Sequence, residues 1–356
     1  MKIAVVAKDP GGASNILPVL RELRLRGLNS VTAQLMTNID SWLYKNRPAG
    51  ENLLGVGTAA PEHYVSDILV TSMCSNMPDG RNLGRDIAMA TPRGKVVVAV
   101  TDTWDGTQVQ TAVWAQRECR PDYIIVNDKI GAEMVLEANP WLGPDCVKQL
   151  GWPALDQYAG VNIPALRATT RGKLGIGANK RVVLYCGQIP YTGEGLQKLV
   201  VVLITQSQVL LIARKHPRLG STPDSMAELE RWNMALESFD RQSFGHTVDS
   251  SDDLKPEEAI AACNLAVGLN GSMLRDAAIM GKDVICIRDH IPPEHKTRFP
   301  LIELGCAVEP ASQAELNEAV QQALTTGLDL AKRQAEVFQL DGQNTKRVTD
   351  FITTLL

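Results

Sequence analysis

The sequence predicts an α/β protein with two Rossmann-like domains, each built on a parallel sheet, that face a central cleft. Three observations support this fold class. The chain has 356 residues, which exceeds one ordinary hydrophobic core and fits two domains. Short apolar runs alternate with segments of helical periodicity along most of the chain, as in parallel sheets covered by helices. A Gly-rich, basic segment at residues 158–178 divides the alternation into two series.

The first series predicts an N-terminal domain over residues 1–160. Its strand-like runs are residues 2–7, 30–36, 66–72, 95–101, 122–127 and 147–153. Between the first two runs, residues 13–27 place apolar side chains in a helical stripe that ends at Gly27. Pro18 falls inside this stripe and can move the start of the helix.

The second series predicts a C-terminal domain over residues 179–338, after a linker at residues 161–178 that makes a hinge. Its apolar runs and one polar helical segment cover residues 181–188, 201–206, 209–217, 224–236, 244–250, 256–272 and 283–289. Residues 343–356 read as a final amphipathic helix that no strand follows.

Composition excludes several classes of protein. Hydrophobic residues make up 44% and charged residues 21%, and no apolar run is long enough to span a membrane. The first apolar run is too short for a signal peptide, so we expect a cytoplasmic protein. The seven cysteines occur without a Cys-x-x-Cys pair, which favours reduced core thiols over disulfides or a zinc site. A net charge of −4 gives no general attraction to nucleic acid.

Candidate site residues follow the strands, because ligands of open parallel sheets bind beyond the carboxyl ends of the strands. Asp9, Gly11 and Gly12 come after the first strand and before a helix, whose unpaired amides favour an anionic or polar ligand. A tight turn that merely needs glycine is the alternative. The spacing differs from the Gly-x-Gly-x-x-Gly of dinucleotide sites, which disfavours an NAD-dependent dehydrogenase.

Asp102 is the first choice for a general base. It ends the fourth strand-like run, and the neighbouring Trp104 can shield its carboxylate from water and raise its pKa. In the alternative interpretation, Asp102 is a turn residue and Trp104 fills the core. Asp128 ends the next run, where capping the helix predicted at residues 130–138 is at least as well supported as chemistry.

A basic group follows a strand of the second domain. Arg214, Lys215, His216 and Arg218 offer the positive charge that a diphosphate needs. A solvated basic turn is the alternative.

The turn Asn270-Gly271-Ser272 precedes another predicted helix. Its amides and hydroxyl are suited to hold phosphate, while Asp276, one helical turn further on, is placed to reach ribose hydroxyls. A plain capped helix is the alternative. Gly187 and Gln188 follow the first strand of the same domain and join the candidate set.

With these residues in view, the whole chain resembles the two-domain glycosyltransferases of the B-type fold and their relatives, the non-hydrolysing UDP-N-acetylglucosamine 2-epimerases and the teichoic acid polymerases. His216-Pro217 is similar to the His-Pro that follows a C-domain strand in this superfamily. Residues 271–287 match its donor-nucleotide pattern of Ser, three residues, an acid, Ala, three residues, Gly and a strand. The acid is usually Glu, whereas this chain has the shorter Asp276.

Other segments are similar to polysaccharide-cluster proteins with an Asp-x-Trp turn and a Gly-x-Pro-x-x-Asp ending, namely residues 101–106, 121–135 and 150–156. This likeness implies a role in polysaccharide biosynthesis. The tail, residues 339–356, is similar to the terminal helix of the B-type fold, which crosses back onto the N-terminal domain. Residues 187–191 replace the His-Arg-Arg-Glu-Asn segment of the epimerases, which disfavours epimerase chemistry. Residues 269–272 likewise depart from the Asp-Tyr-Ser-Ser of the teichoic acid polymerases.

The resemblance implies a metal-independent glycosyltransferase that uses a nucleotide-sugar donor of the UDP type and no cofactor. The acceptor is a hydroxyl of a glycan, a lipid-linked molecule or another compound, and the sequence does not identify it. Catalytic roles fall to Asp102, His216 and Asp9; the binding residues are Gly11, Gly12, Trp104, Gly187, Gln188, Arg214, Asn270, Gly271, Ser272 and Asp276.

Two other functions stay open at this point. One is a sugar-nucleotide epimerase or hydrolase, which shares the donor site, and the other is a non-catalytic two-domain protein that closes on a small ligand. Acceptor specificity is expected in loops at residues 46–64 and 73–86. A homodimer is compatible with the sequence, which does not determine the oligomeric state.

Overall fold

The chain folds as two compact units in the computed structural model. The first comprises Met1–Gly160 together with Leu340–Leu356, and the second comprises Val161–Gln339. The structure describes residues 2–7, 10–28, 31–35, 66–72, 96–102, 104, 121–206, 208–217, 219–242, 247–249, 254–338 and 340–356.

Each unit contains one parallel sheet. The strands are β1 Ile3–Ala7, β2 Val31–Leu35, β3 Ile68–Ser72, β4 Val96–Val100, β5 Tyr123–Val126, β6 Val147–Gln149, β7 Arg181–Cys186, β8 Val209–Arg214, β9 Thr247–Asp249, β10 Leu265–Gly268 and β11 Asp283–Cys286. The sheet of the first unit has the order β2-β1-β3-β4-β5-β6, and that of the second has the order β11-β10-β7-β8-β9. All pairings among these strands are parallel.

Helices connect the strands of both sheets. They are α1 Pro10–Leu25, α2 Lys129–Ala138, α3 Ile163–Lys173, α4 Thr192–Leu203, α5 Pro223–Gln242, α6 Pro256–Ala262, α7 Ser272–Ile279, α8 Pro300–Glu303, α9 Gln313–Thr325, α10 Ala331–Val337 and α11 Asn344–Thr354. Short 3-10 turns lie at Pro144–Cys146, Pro153–Tyr158 and Pro293–His295. None of the helices described here is long and apolar enough to cross a membrane.

Helix α1 begins at Pro10, three residues before the predicted start. Proline suits the first helical position because its fixed φ is helical and the N–H that it lacks would have no partner there. Pro18 lies within α1 without ending it. The helix continues because Val19, Leu20 and Leu23 are fully buried in the core of the first unit.

Helix α11 completes the core of the first unit. It packs against α1, and its Val348 and Ile352 are fully buried among the side chains of β1, β3 and α1. Asp350 on α11 also forms an ion pair with Arg26 at 2.7 Å. The final amphipathic segment of the sequence is therefore part of the first unit, although most of that unit lies at the other end of the chain.

The segment 161–178, predicted as a linker, is mostly helix α3 and belongs to the second unit. Asn162 caps its first turn by accepting the N–H of Ala165 at 3.0 Å. Arg171 is 7% exposed and donates to the Ala262 carbonyl at the end of α6 and to the Asn264 side chain. The glycines and basic residues that suggested a connection thus belong to a helix end whose arginines bind a neighbouring helix.

The apolar run at 201–206 also differs from the predicted series. Its first residues end helix α4, whose buried side chains Leu196, Leu199, Val200 and Leu203 recur with helical spacing. The core of the second unit lies between this helix, the sheet and α5, where the rings of Tyr185 and Trp232 pack at 5.5 Å.

The cysteines within the described ranges are free thiols: Cys146, Cys186, Cys263, Cys286 and Cys306. Burial raises the pKa of Cys263 to about 11 and that of Cys306 to about 11. Both thiols are therefore protonated at neutral pH, as expected of core cysteines.

Candidate functional site

The candidate site of the second unit lies at the carboxyl ends of its strands. The strands β11, β10, β7 and β8 are adjacent and parallel, so their carboxyl ends share one edge of the sheet. Three loops leave that edge, at residues 187–191, 269–271 and 287–299, together with the turn at residues 215–217. Most of the donor-site residues predicted from the sequence fall on these segments.

Gly187 brings loop 187–191 against the His-Pro turn. Its N–H donates to the Arg214 carbonyl at 2.8 Å. A Cβ atom at this position would lie 2.8 Å from that same oxygen and 2.9 Å from the His216 nitrogen, closer than real Cβ atoms approach backbone. Glycine is required here because the ends of β7 and β8 meet without space for a side chain.

Gly271 brings loop 269–271 against loop 187–191. Its φ of 110° is unfavourable for residues with a Cβ, and such an atom would lie 3.3 Å from Oε1 of Gln188. Helix α7 starts directly afterwards at the exposed Ser272, without a side-chain cap. The first amides of a helix have no partner within the helix, so this edge presents hydrogen-bond donors beside Gln188.

Asp276 lies one turn into α7 and is held by its neighbour. Its Oδ1 accepts a hydrogen bond from Nε of Arg275 at 2.9 Å, and the two side chains are only 13% and 10% exposed. This ion pair fixes the direction of the carboxylate. Asp276 therefore presents an oriented hydrogen-bond acceptor at this edge of the sheet.

The basic group predicted after β8 is only partly available to a ligand. Arg214 donates to the carbonyl of Leu254, just before α6, at 2.6 Å. Lys215 and His216 are half-buried, and the His216 carbonyl accepts the N–H of Leu219 at 2.9 Å. Arg218 lies outside the described residues. Arg214 therefore has a structural contact, while His216 lies at the strand edge beside Gly187.

In the first unit, the residues predicted after β1 have a different local structure. Gly11 and Gly12 form the first turn of α1 and not a turn ahead of it. Their N–H groups are then among the first amides of the helix, where an anion is favoured. Asp9 lies outside the described residues, as do the predicted acceptor loops at 46–64 and 73–86.

Trp104 is part of the core, as in the alternative interpretation of this turn. It is 2% exposed, and its ring lies 5.3 Å from that of Trp152. Its indole N–H donates to the Asp128 carboxylate, at 3.1 and 3.3 Å from the two oxygens. Trp104 therefore has no exposed ring to offer an acceptor. Asp102, directly after β4 and Thr101, is half-buried.

Asp128 is the N-cap of α2. It accepts the N–H of Gly131 at 2.8 Å and the side-chain amide of Asn127 at 2.9 Å, besides the indole of Trp104. With these three donors the carboxylate has the capping role that the sequence favoured at least as much as chemistry.

Several residues that the sequence interpretation missed hold this edge of the first sheet together. Trp152 donates its indole N–H to Thr101 at 2.8 Å and its backbone N–H to Asn127 at 3.2 Å. Asp156, at the end of the Gly-x-Pro-x-x-Asp segment, accepts the N–H groups of Asn344 and Thr345 at 3.0 and 2.7 Å. No local signal reveals this contact, because the partners are 188 and 189 residues away.

A cavity of about 330 Å³ lies beside α1 and the 3-10 turn Pro153–Tyr158 of the first unit. Its lining residues are Ser14, Leu17, Pro18, Arg21, Pro153, Ala154, Asp156, Gln157 and Thr345. None of the residues predicted to be functional lines it. Among the described residues, no three or more His, Cys, Asp or Glu side chains group as metal ligands would.

Neither a protein-family model nor a curated protein matches the sequence. Solved structures do match the fold. The UDP-GlcNAc 2-epimerase from Neisseria meningitidis bound to UDP-GlcNAc matches with a TM-score of 0.68 and 11% identity, over 99% of this chain and 100% of that chain. The epimerase from Methanocaldococcus jannaschii gives 0.67 and 15%, with the same coverage. The wall teichoic acid polymerase TagF, as its H444N variant with CDPG, gives 0.62 and 12%, over 99% of this chain and 88% of that chain.

The chain has the glycosyltransferase B-type fold. This confirms the fold class and, at the level of the fold, the resemblance inferred from the sequence. The solved proteins that share the B-type fold include a polymerase and epimerases, so the same architecture carries more than one chemistry. With identities of 11–15%, the activity of this chain has to be argued from its own residues.

Proposed function

We propose that the protein is a metal-independent glycosyltransferase that moves a sugar from a nucleotide-activated donor of the UDP type to an acceptor hydroxyl. The observation that carries the proposal is the meeting of Gly187, Gln188 and Gly271 at the start of α7. There, helix amides without a side-chain cap lie beside the side chain of Gln188, and the neighbouring Gly187 lies against the backbone of His216. Diphosphates bind well at such amide groups because they need several donors and positive dipoles.

The donor is proposed to lie along this edge of the second sheet. The amides at Ser272 and the imidazole of His216 hold the diphosphate, and Asp276 accepts from the ribose hydroxyls. In the reaction, an acceptor oxygen forms a bond to the anomeric carbon while the bond from that carbon to the diphosphate breaks. The departing oxygen gains negative charge, which the helix amides and His216 stabilise.

The proton of the acceptor hydroxyl is assigned to the carboxylate of Asp102. A carboxylate at the end of a strand can act as a general base and accept the proton while the new bond forms. Asp9, Gly11 and Gly12 are proposed to contribute to acceptor binding, whereas the burial of Trp104 limits it to supporting the turn after β4.

Calorimetry with UDP, GDP, CDP and ADP tests the donor site. We expect the wild type to bind at least one of them and Gly271→Ala to weaken that binding by at least about tenfold, because the new Cβ strains the backbone and crowds Gln188. Gly281→Ala is a matched control. Gly281 follows the end of the same helix. Its φ of 67° lies in the left-handed helical region, where alanine is strained less than at Gly271 with its φ of 110° and ψ of 168°, and the space around it is open, so the site is untouched.

The proposal is contradicted if the folded wild type binds none of the four nucleotides, or if the two alanine variants lose affinity equally.

Measurements of activity distinguish a glycosyltransferase from the other candidate functions. With donor and acceptor present, Asp102→Asn is expected to lower kcat by at least about a hundredfold and to keep its affinity for the nucleotide. Turnover of the donor without any acceptor would instead indicate an epimerase or hydrolase.

A further inference from the structure

His290 is a buried imidazole that the proposed reaction does not use. It follows β11 in loop 287–299, and its side chain is 2% exposed. Its Nε2 lies 3.1 Å from the carbonyl oxygen of Tyr191. A carbonyl oxygen only accepts hydrogen bonds, so Nε2 carries the hydrogen. The opposite ring nitrogen, Nδ1, is buried without a hydrogen bond, at 3.6 Å from Oδ1 of Asp289.

Asp289 lies on the other side of this ring, beside Nδ1. Its Oδ2 accepts a hydrogen bond from Nζ of Lys198 on α4 at 2.5 Å. Desolvation would raise the pKa of Asp289, but the hydrogen bond and the charge of Lys198 outweigh it, so that the pKa lies below its ordinary value. The carboxylate of Asp289 is therefore held by Lys198, and it lies 3.6 Å from Nδ1 of His290.

Tyr191 is the residue that needs to be held. Its φ of 70° places it in the left-handed region, which is unfavourable for a residue with a Cβ. Its carbonyl accepts both from His290 and from the N–H of Gly195 at 3.2 Å, and its hydroxyl hydrogen-bonds to His295. Among the hydrogen bonds of the described residues, the one from His290 ties the backbone of Tyr191 to a different loop.

The conformation of Tyr191 determines the position of Gln188. Thr192, the residue after Tyr191, accepts the backbone N–H of Gln188 through its hydroxyl at 3.1 Å. This hydrogen bond connects the two ends of loop 187–191. Gln188 in turn lies against Gly271, where the two loops of the donor site meet. A shift at Tyr191 would thus displace the side chain beside the first amides of α7.

We propose that His290 is a positioning residue of the donor site, which holds loop 187–191 in its binding conformation through the carbonyl of Tyr191. The effect on nucleotide affinity rests on the proposed function, whereas the effect on the loop does not. The effect on the loop and the effect on nucleotide affinity can therefore be tested separately.

Two variants at this position separate a donated hydrogen bond from mere filling of space. His290→Gln keeps an N–H near the place of Nε2, while His290→Phe keeps the ring and removes the donor. In hydrogen exchange of the ligand-free protein, we expect the amides of Gln188 and Gly195 to exchange at least about tenfold faster in His290→Phe and at near wild-type rates in His290→Gln.

Calorimetry with the nucleoside diphosphate that binds the wild type best forms the second part. We expect His290→Phe to lower its affinity at least about fivefold and His290→Gln by less than about twofold. His295→Phe is the matched control, since His295 contacts the side chain of Tyr191 and not its backbone. That variant is expected to leave both the exchange rates and the affinity near the wild-type values.

Unchanged exchange at Gln188 and Gly195 in His290→Phe would overturn the positioning role, whatever the nucleotide results. Equal losses in His290→Gln and His290→Phe would also overturn it, because the donated hydrogen bond would then be irrelevant. Faster exchange without nucleotide binding by the wild type would keep the role in the loop and contradict the proposed function instead.

Discussion

Gly187 shows at the scale of single residues how the proposed donor site depends on close backbone contact. Its missing side chain lets the end of β7 touch the Arg214 carbonyl and the His216 nitrogen. Neither contact can move aside like the end of a flexible side chain, because both atoms belong to the backbone. The same argument holds less strictly for Gly271, whose neighbour is the mobile end of Gln188.

We expect Gly187→Ala to lower the free energy of unfolding by about 1–3 kcal/mol, because the added Cβ overpacks two strand ends. Urea unfolding measures the change. Gly172→Ala in α3 is a control with the opposite sign: nothing lies within 4 Å of its Cβ, and alanine is expected to stabilise the helix by up to about 1 kcal/mol. A Gly187→Ala protein as stable as the wild type would show that the strand ends separate without cost.

Sequence reasoning identified the turns of the site better than the partners of each side chain. Gly187, Gly271 and Ser272 were recognisable because turns and helix starts depend on nearby residues. Gly11 and Gly12 were expected in a turn ahead of α1 but lie within its first turn. The partnership of Trp104 with Asp128 spans 24 residues, and nothing in either local sequence points to the other. Because this partner could not be foreseen, Trp104 was expected in an acceptor pocket, whereas its indole is buried in the core and donates to Asp128.

At the scale of elements, α3 and α6 form a junction, and the sequence interpretation had assigned the segment of α3 to a linker. Lys173 on α3 binds Glu258 at 2.6 Å, and Glu258 also accepts the N–H of Lys255 at 3.0 Å, at the start of α6. The hydrogen bond from Lys173 is the main reason why the pKa of Glu258 lies below its ordinary value. Residues 161–178 read as a connection because they are rich in glycine and basic residues, while the contacts that anchor them are polar.

This junction predicts a pH dependence of stability. A carboxyl group with a lowered folded-state pKa stabilises fully above its unfolded pKa of about 4.3, and the contribution disappears as the pH falls through the folded value. We therefore expect Lys173→Met to lose less stability than the wild type between pH 6 and pH 3, measured by urea unfolding at each pH. Lys173→Arg keeps the charge and should follow the wild type; parallel curves for all three proteins would exclude this contribution.

The N-terminus of α11 depends on Asp156, which accepts two of its backbone N–H groups. We expect Asp156→Ala to cost about 1–2 kcal/mol, the usual loss when a helix cap is removed. Amide exchange along residues 344–354 should increase at the same time. Gln157→Ala, at the adjacent exposed position, should change stability by less than about 0.5 kcal/mol. Equal effects of the two substitutions would contradict the capping role.

At the scale of the whole molecule, the alternation of apolar runs and helical periodicity predicted the fold class correctly. Parallel strands buried on both faces have nearly continuous apolar sequences, such as residues 96–100, so their pattern is strong. Helix α4 was missed although its apolar residues have helical spacing, because a glycine-rich start obscured it. Activity is less predictable than fold, since it depends on a few polar contacts that form only when distant loops meet.

We expect a chain ended after residue 339 to lose the stability of its first unit and to keep that of its second. Val348 and Ile352 are fully buried in the first core, and each contributes about 1.5–3 kcal/mol through burial. Trp232 lies in the second unit, whereas every other tryptophan of the sequence lies in the first unit. In a Trp232→Phe background, tryptophan fluorescence therefore follows the first unit alone, and circular dichroism follows both. Loss of both transitions together would contradict two separate cores.

The placement of α11 in the first unit also sets an order for folding during synthesis. The ribosome makes residues 1–160 first, but the helix that completes their core emerges only after the intervening second unit, about 180 residues later. With translation at about 5–20 residues per second, that interval lasts on the order of 10–35 s. The second unit thus has all of its own residues before the first does. Until then, the nascent first unit exposes the apolar surface of α1 that α11 later covers, which makes it a natural client for chaperones.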